Sequence, residues 1–249
     1  LRMSRGLGDV YKRQLYIRKR VPLLCLGKQW FVFDKSLMKK TISYGSTSAM
    51  QQVCLQIGKT IIQTVVNTQG VSVMAAFTAV NRVDDFAYIP QQNIGHAMTT
   101  FIAQNKGAGK KERIRRGFQS GIGIELVYGL ILLVLMYFGA EKIMGLFTSQ
   151  EDAQVVALGR SYLHLVSWMY ILPAITNGIQ GFFRGMGDLK VTLYSTFMNM
   201  AGRVLAVIVM FLVFHFGFVS LAWANLIGWI VMLLFEIPLL MRQLKELRK

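Results

Sequence analysis

Two adjacent carboxylates, Asp84 and Asp85, stand inside a long apolar block that begins at Val71. Counted from that start, Asp85 lies about 21 Å along a helix rising ~1.5 Å per residue, near the middle of a bilayer. Arg203 is similarly deep in a second block, Val191–Phe214. An ionisable group at such depth costs at least ~2.5–3.5 kcal/mol on insertion scales, so it is expected to pair or to work. Three readings are open. Arg82 and Asp85, spaced i to i+3, can form a buried pair that only fixes helix packing. Asp84 or Asp85, with Arg82 beside them, can face a cavity and bind a proton, a sodium ion or a cationic substrate. A neutral, protonated aspartate is the third.

Other polar residues fall into stripes. Gly45, Ser48, Gln52, Gln56, Lys59 and Gln63 recur every three or four residues, and so do Asn81, Asp85, Tyr88, Gln92, His96 and Thr99. Thr192, Ser195, Asn199 and Arg203 form a shorter series. Lipid cannot hydrogen-bond such groups, so they must meet protein or a water-filled cavity. Gln52, Gln56, Tyr88, Gln92, His96, Asn199 and Arg203 are therefore candidates to line one. The glutamines can equally serve as interhelical glue. His96 can relay protons or simply bond a neighbour. Glu125 and Glu236, counted as within two turns of block ends, read as interface residues that reach water.

Enzyme chemistry finds little support. His96, His164 and His215 are far apart and carry no metal-ligand pattern. Nucleophile elbow and P-loop are both missing; the GAGK at Gly107–Lys110 lacks the rest of the nucleotide-binding pattern. Cys25 and Cys54 have neither metal nor redox spacing. The expectation is a protein that is not an enzyme and holds no cofactor and no metal.

The elements that must position these residues are six apolar blocks: Ile42–Val66, Val71–Ala103, Phe118–Ala140, Ala153–Phe183, Val191–Phe214 and Phe218–Leu240. Each is long enough to span a membrane as a helix. Pro90 and Pro173 mark kink sites in the two longest. Only 16% of residues are charged, 53% are hydrophobic, and the net charge is +16. In a soluble protein that charge would suggest nucleic acid. Here it follows the connections instead. Lysine and arginine crowd residues 15–41, 104–117, 184–190 and 241–249, whereas the alternate connections hold Lys142 alone, beside Glu141, Glu151 and Asp152. Basic loops stay in the cytoplasm, so both termini and the loop around Lys110 are expected there, without a nucleic-acid partner. Leu1–Gln14 reads as a non-native scar or disordered tail. Residues 15–41 read as a linker whose aromatics can lie at the lipid interface, 42–240 as the six-helix lobe and 241–249 as a tail.

Two stretches carry a family resemblance. PQQNIGHAMTTFIAQNKGAGKKERIRRG, Pro90–Gly117, resembles the second helix and following loop of the C-terminal lobe of multidrug and toxic compound extrusion (MATE) transporters. GIQGFFRGMGDLK, Gly178–Lys190, is similar to that family's turn between its tenth and eleventh helices. NMAGRVLAVIVM and GFVSLAWANLIGW also fit. Gly107, Ala108 and Gly109, and likewise Gly185 and Gly187 around Arg184, would allow sharp turns. Asp188 would cap the next helix.

The resemblance implies an all-α membrane protein, one six-helix lobe of a twelve-helix transporter. It implies a partner lobe on the N-terminal side, lost from an incomplete sequence. It further implies exchange of H+ or Na+ for small organic substrates, in contact with membrane lipid, in a bacterial cytoplasmic membrane. The ion-binding carboxylates of one family branch are absent from the matching blocks, Ile42–Val66 and the apolar part of Ala153–Phe183. The coupling site therefore cannot be carried over. A lipid-linked saccharide flippase of the same superfamily is one rival reading, kept open by Lys59, Arg82 and Arg203. A non-transporting membrane scaffold with sealed polar faces is another.

Overall fold

The computed structural model describes residues 11–12, 14–17, 19–20, 33–147, 153–213 and 217–248. Most of Leu1–Gln14, residues 21–32 with Trp30 and Phe31, and Glu151, Asp152 and His215 lie outside the described residues. The chain divides into two units, Leu1–Ser43 and Tyr44–Lys249.

Each apolar block is a helix, and most extend beyond the expected bounds. They are α1 (Lys35–Asn67), α2 (Val71–Gly107), α3 (Lys111–Phe147), α4 (Ala153–Ser167), α5 (Ile171–Gly185), α6 (Leu189–Ile208) and α7 (Ser220–Arg248). A 3-10 turn, Trp168–Tyr170, joins α4 to α5 within one span. A π-helical turn, Val209–Val213, continues α6. In the first unit Asp34 caps α1: its Oδ1 accepts from the backbone N–H groups of Ser36 at 2.7 Å and Leu37 at 3.1 Å. The expected tail continues as helix to Arg248.

The two prolines act differently. α2 runs through Pro90 without interruption. At Pro173 the missing N–H leaves the Met169 carbonyl without its i+4 donor, and the span tightens to 3-10 geometry there.

The spans from α3 onward are long and apolar enough to cross a membrane: Lys111–Phe147, Ala153–Gly185, Leu189–Phe211 and Ser220–Leu247. α1 and α2 carry the densest polar stripes. α1 buries only Gly58, Ile62 and Val66. The other helices enclose two apolar cores. One gathers Val80, Leu132, Met144, Leu163, Tyr170 and Phe218; the other gathers Met98, Ile102, Phe118, Phe182 and Leu240 towards the basic end.

At that end two matching turns close the helices. Lys110 N–H donates to Asn105 O at 2.9 Å and Gly109 N–H to Lys106 O at 3.0 Å, with Gly109 at φ 68. Asp188 N–H donates to Phe183 O at 2.9 Å and Gly187 N–H to Arg184 O at 3.0 Å, with Gly187 at φ 77. This is one C-capping motif used twice, and the left-handed residue has to be glycine or pay strain. Lys106 Nζ donates to the Met186 carbonyl and ties the two turns together.

Gly107 ends α2, Ala108 is its C-cap, and the positive φ of the turn falls to Gly109. Two expectations for these turns need correction. Gly185 is not a turn residue: a methyl group there would come within 2.7 Å of Ile102 Cβ, so it serves close packing of α5 on α2. Asp188 occupies the N-cap position of α6, but its side chain makes no capping hydrogen bond.

Candidate functional site

α2 and α5 approach closely enough to bring their backbones into contact. A methyl group at Gly181 would lie 2.7 Å from the Gly95 carbonyl oxygen. Thr99 Oγ1 bridges the pair, at 2.9 Å from Gly95 O and 3.1 Å from Gly181 O. This contact sets the height of α2 against the 3-10 turn above α5, and so places Asp84 opposite Tyr170.

Asp84 is buried at 7% exposure. Tyr170 Oη donates to its Oδ1 at 2.5 Å, and Tyr162 Oη to its Oδ2 at 3.4 Å. Asn225 Nδ2, from α7, donates to Tyr162 Oη at 2.7 Å. Tyr88, one turn beyond Asp84, packs against Tyr170 with the rings tilted by 57° and their centroids 5.7 Å apart, and meets Trp229 at 6.4 Å. Arg203, from α6, acts electrostatically on both Asp84 and Tyr88. Its aliphatic stem packs on Gly228 of α7, and its buried Nε has no hydrogen-bond partner. Four helices and the 3-10 turn thus meet at one carboxylate.

Magnitudes show why so many groups are needed. Burying an ion costs several kcal/mol even after relaxation. A hydrogen bond to a charged group returns ~1.5–3 kcal/mol. One tyrosine is not enough; two hydroxyls and a guanidinium can hold the charge. Removing the charge weakens all three interactions, so the arrangement can register whether Asp84 carries a proton.

The expected convergence of polar stripes is only partly met. Asp84, Tyr88 and Asn199 are turned inward. Asp85, Arg82, Gln92 and His96 are exposed on α2, and Gln52 and Gln56 are exposed on α1. Adjacent residues on a helix are about 100° apart, so Asp84 and Asp85 cannot share surroundings. Asp85, Gln52 and Asn199 do not share one hollow. The anticipated Arg82–Asp85 pair does not form either. The ion pairs among described residues are Arg115–Glu112, Arg116–Glu112, Arg160–Glu141 and Arg242–Glu246.

Glu125 and Glu236 also depart from expectation. Both are 0% exposed, rather than reaching water. α3 begins at Lys111 and α7 runs to Arg248, so each glutamate has several helical turns between it and the basic end. Sequence reasoning passed over Tyr162, Tyr170, Asn225 and Trp229. A tyrosine deep in an apolar span is itself a signal, because its hydroxyl needs a partner there.

The family model for MatE matches residues 48–205. The chain belongs to the MatE family. It is 25% identical over 178 residues to the probable multidrug resistance protein YoeA of Bacillus subtilis (strain 168), covering 70% of this chain and 38% of that protein. It is 28% identical over 174 residues to the probable multidrug resistance protein NorM of Rhizobium meliloti (strain 1021), covering 66% of this chain and 36% of that protein. The chain thus spans roughly two fifths of the length of the curated relatives it matches. Its fold is that of solved MATE transporters. A crystal structure of MATE in complex with MaL6 superposes with a TM-score of 0.86 at 18% identity, over 96% of this chain and 55% of that one. An outward-facing multidrug resistance MATE transporter of the MOP superfamily gives 0.74 at 17% identity, over 79% and 43%. MatE proteins are membrane transporters, not enzymes, and the all-α membrane fold agrees with that.

Proposed function

We propose that this chain is the C-terminal six-helix lobe of an ion-coupled multidrug efflux antiporter, and that Asp84 is its coupling carboxylate. The observation that carries the reading is the Asp84 cage: a buried carboxylate held by the Tyr170 and Tyr162 hydroxyls, with the Arg203 guanidinium within electrostatic reach. The groups that face Asp84 are hydroxyl donors and a guanidinium rather than a set of oxygen ligands for a metal ion, so the ion in this reading is a proton rather than sodium. Protonation removes the charge that draws Arg203 and weakens the hydrogen bonds from the two tyrosines. Those side chains belong to α4, the 3-10 turn and α6, so the packing of these helices against α2 changes with the proton. Proton and substrate then exclude each other by favouring different packings.

The exposed residues Gln52, Gln56, Asp85, Gln92 and His96 belong in this reading to the surface that an N-terminal lobe covers. Substrate, a small organic compound, would pass between the lobes. The basic end lies in the cytoplasm of a bacterial cell, with the opposite end facing out. Residues 15–41 form the inter-lobe linker.

The test is gradient-driven dye efflux from proteoliposomes containing the full-length protein. Asp84→Asn abolishes the dependence on the proton gradient, and Asp85→Asn retains it. An unaltered gradient dependence in Asp84→Asn removes the proposal.

A further inference from the structure

A second carboxyl group lies towards the basic end, outside the Asp84 cage. Glu236 of α7 is 0% exposed; the Ser195 hydroxyl and the Gln180 amide approach its carboxyl group, but neither of its oxygens receives a well-aligned hydrogen bond. It is eleven residues beyond Asn225, or about 16 Å along the helix. The groups around it are donors, but each is committed elsewhere. Ser195 Oγ donates to Thr192 O at 3.1 Å. Gln180 Nε2 points to Ser195 Oγ at 3.4 Å and Thr196 Oγ1 at 3.3 Å. Arg184 donates through Nη2 to Gln180 Oε1 at 3.1 Å and through Nε to Gln180 O at 3.3 Å.

This pattern has a simple chemical reading. A carboxylate needs donors, and a carboxylic acid brings its own. Leaving a buried charge with no donor costs several kcal/mol. The observed network suits the acid form, whose O–H can donate to a neighbouring oxygen. The same three neighbours could turn to a carboxylate without any helix moving. Arg184 has the most to gain, since it already interacts electrostatically with Glu236.

We propose that Glu236 is a second proton-binding site, and that Arg184 changes partner from Gln180 to Glu236 when the proton leaves. The proton comes from water at the basic end and returns to it; no other bond is made or broken. Gln51 of α1 donates to Thr196 Oγ1 at 2.8 Å, so the exchange reaches α1 through the same network.

Other charged groups near these helices are accounted for. On α6, Arg203 packs at Gly228, two turns further from the basic end. On α3, Glu112 pairs with Arg115 and Arg116, and Glu125 lies beside Gly178 of α5. On α4, Arg160 pairs with Glu141, His164 stacks on Tyr137 and Tyr162 faces Asp84. His96 of α2 is exposed and interacts with Arg184. Arg184 is the cation that acts on Glu236.

The test uses dicyclohexylcarbodiimide, an apolar reagent that adds to protonated carboxylic acids, on the full-length protein in lipid vesicles. The modified residue is located by mass spectrometry. Glu236 should be modified in the wild type, with a yield that falls along a single-proton curve as pH rises and ignores sodium at constant ionic strength. Arg184→Gln should change the proton affinity read from that curve about tenfold, as expected for loss of a neighbouring opposite charge. Asp84→Asn should leave the curve in place. No modification at any pH, a yield insensitive to pH, protection by sodium, or a curve unmoved in Arg184→Gln would each overturn the proposal. A curve moved by Asp84→Asn would do so too, because the two carboxyls would then be one site. The readout does not depend on efflux, so failure here leaves the role of Asp84 to its own experiment.

Discussion

Asp84 and Glu236 are both buried but differently surrounded. Tyrosine hydroxyls point at the oxygens of Asp84, and an arginine stands close by. Around Glu236 the Ser195, Gln180 and Arg184 donors lie close but are aligned with other acceptors. Burial alone therefore does not say what a carboxyl group in this bundle does. The direction of the neighbouring donors does, and it separates a site arranged around a charge from one arranged around its absence.

The sharpest way to break that contrast is at Asp84 itself. Asp84→Asn keeps the shape and removes the charge, and should reduce proton-driven efflux to background in proteoliposomes. Next in size is Gly181→Val, which attacks the α2–α5 contact that sets Asp84 against Tyr170. With a methyl group 2.7 Å from the Gly95 carbonyl, backbone rather than a side-chain tip must move. A loss of about 3 kcal/mol, the upper part of the overpacking range, is expected in the thermal unfolding of the detergent-solubilised protein. An unchanged unfolding midpoint would show that the helices are not in contact there.

The two tyrosines sharpen the comparison further. Tyr170→Phe removes the donor at 2.5 Å and should cost ~1.5–3 kcal/mol, as for a hydrogen bond to a charged group. Tyr162→Phe removes the donor at 3.4 Å and should cost less, with the loss of the Asn225 contact included. Equal losses would mean that the cage does not discriminate between them. The smallest effect belongs to Asp85→Asn, a side chain that no helix of this lobe buries, where stability should change by no more than about 0.5 kcal/mol.

The helices were readable because apolar runs and basic loops are long-range signals that survive any local detail. Gly109 and Gly187 were readable as members of turn motifs, although which glycine takes positive φ depends on where the helix stops. The site was only half readable. Depth picked out the pair Asp84 and Asp85, but one residue of rotation decides which of them faces the bundle. The regular spacing of Asp85 with Gln92 and His96 favoured the wrong member for burial, because the three share an exposed face. Tyr162 and Tyr170 come from a different span, and Tyr170 lies in the 3-10 turn Trp168–Tyr170, an irregularity the helical spacing does not foretell. Glu125 and Glu236 were misplaced for another reason. Their depth was counted from the ends of apolar blocks, whereas the helices continue past those ends with polar sequence.

The most direct measurement is of protons released when substrate binds. Ethidium is added to the detergent-solubilised full-length protein in weak buffer, and the pH is followed with an indicator dye. The wild type should release a proton on binding, and Asp84→Asn should bind ethidium without releasing that proton. Undiminished proton release from Asp84→Asn would contradict the assignment of Asp84 as the group at which proton and substrate exclude each other.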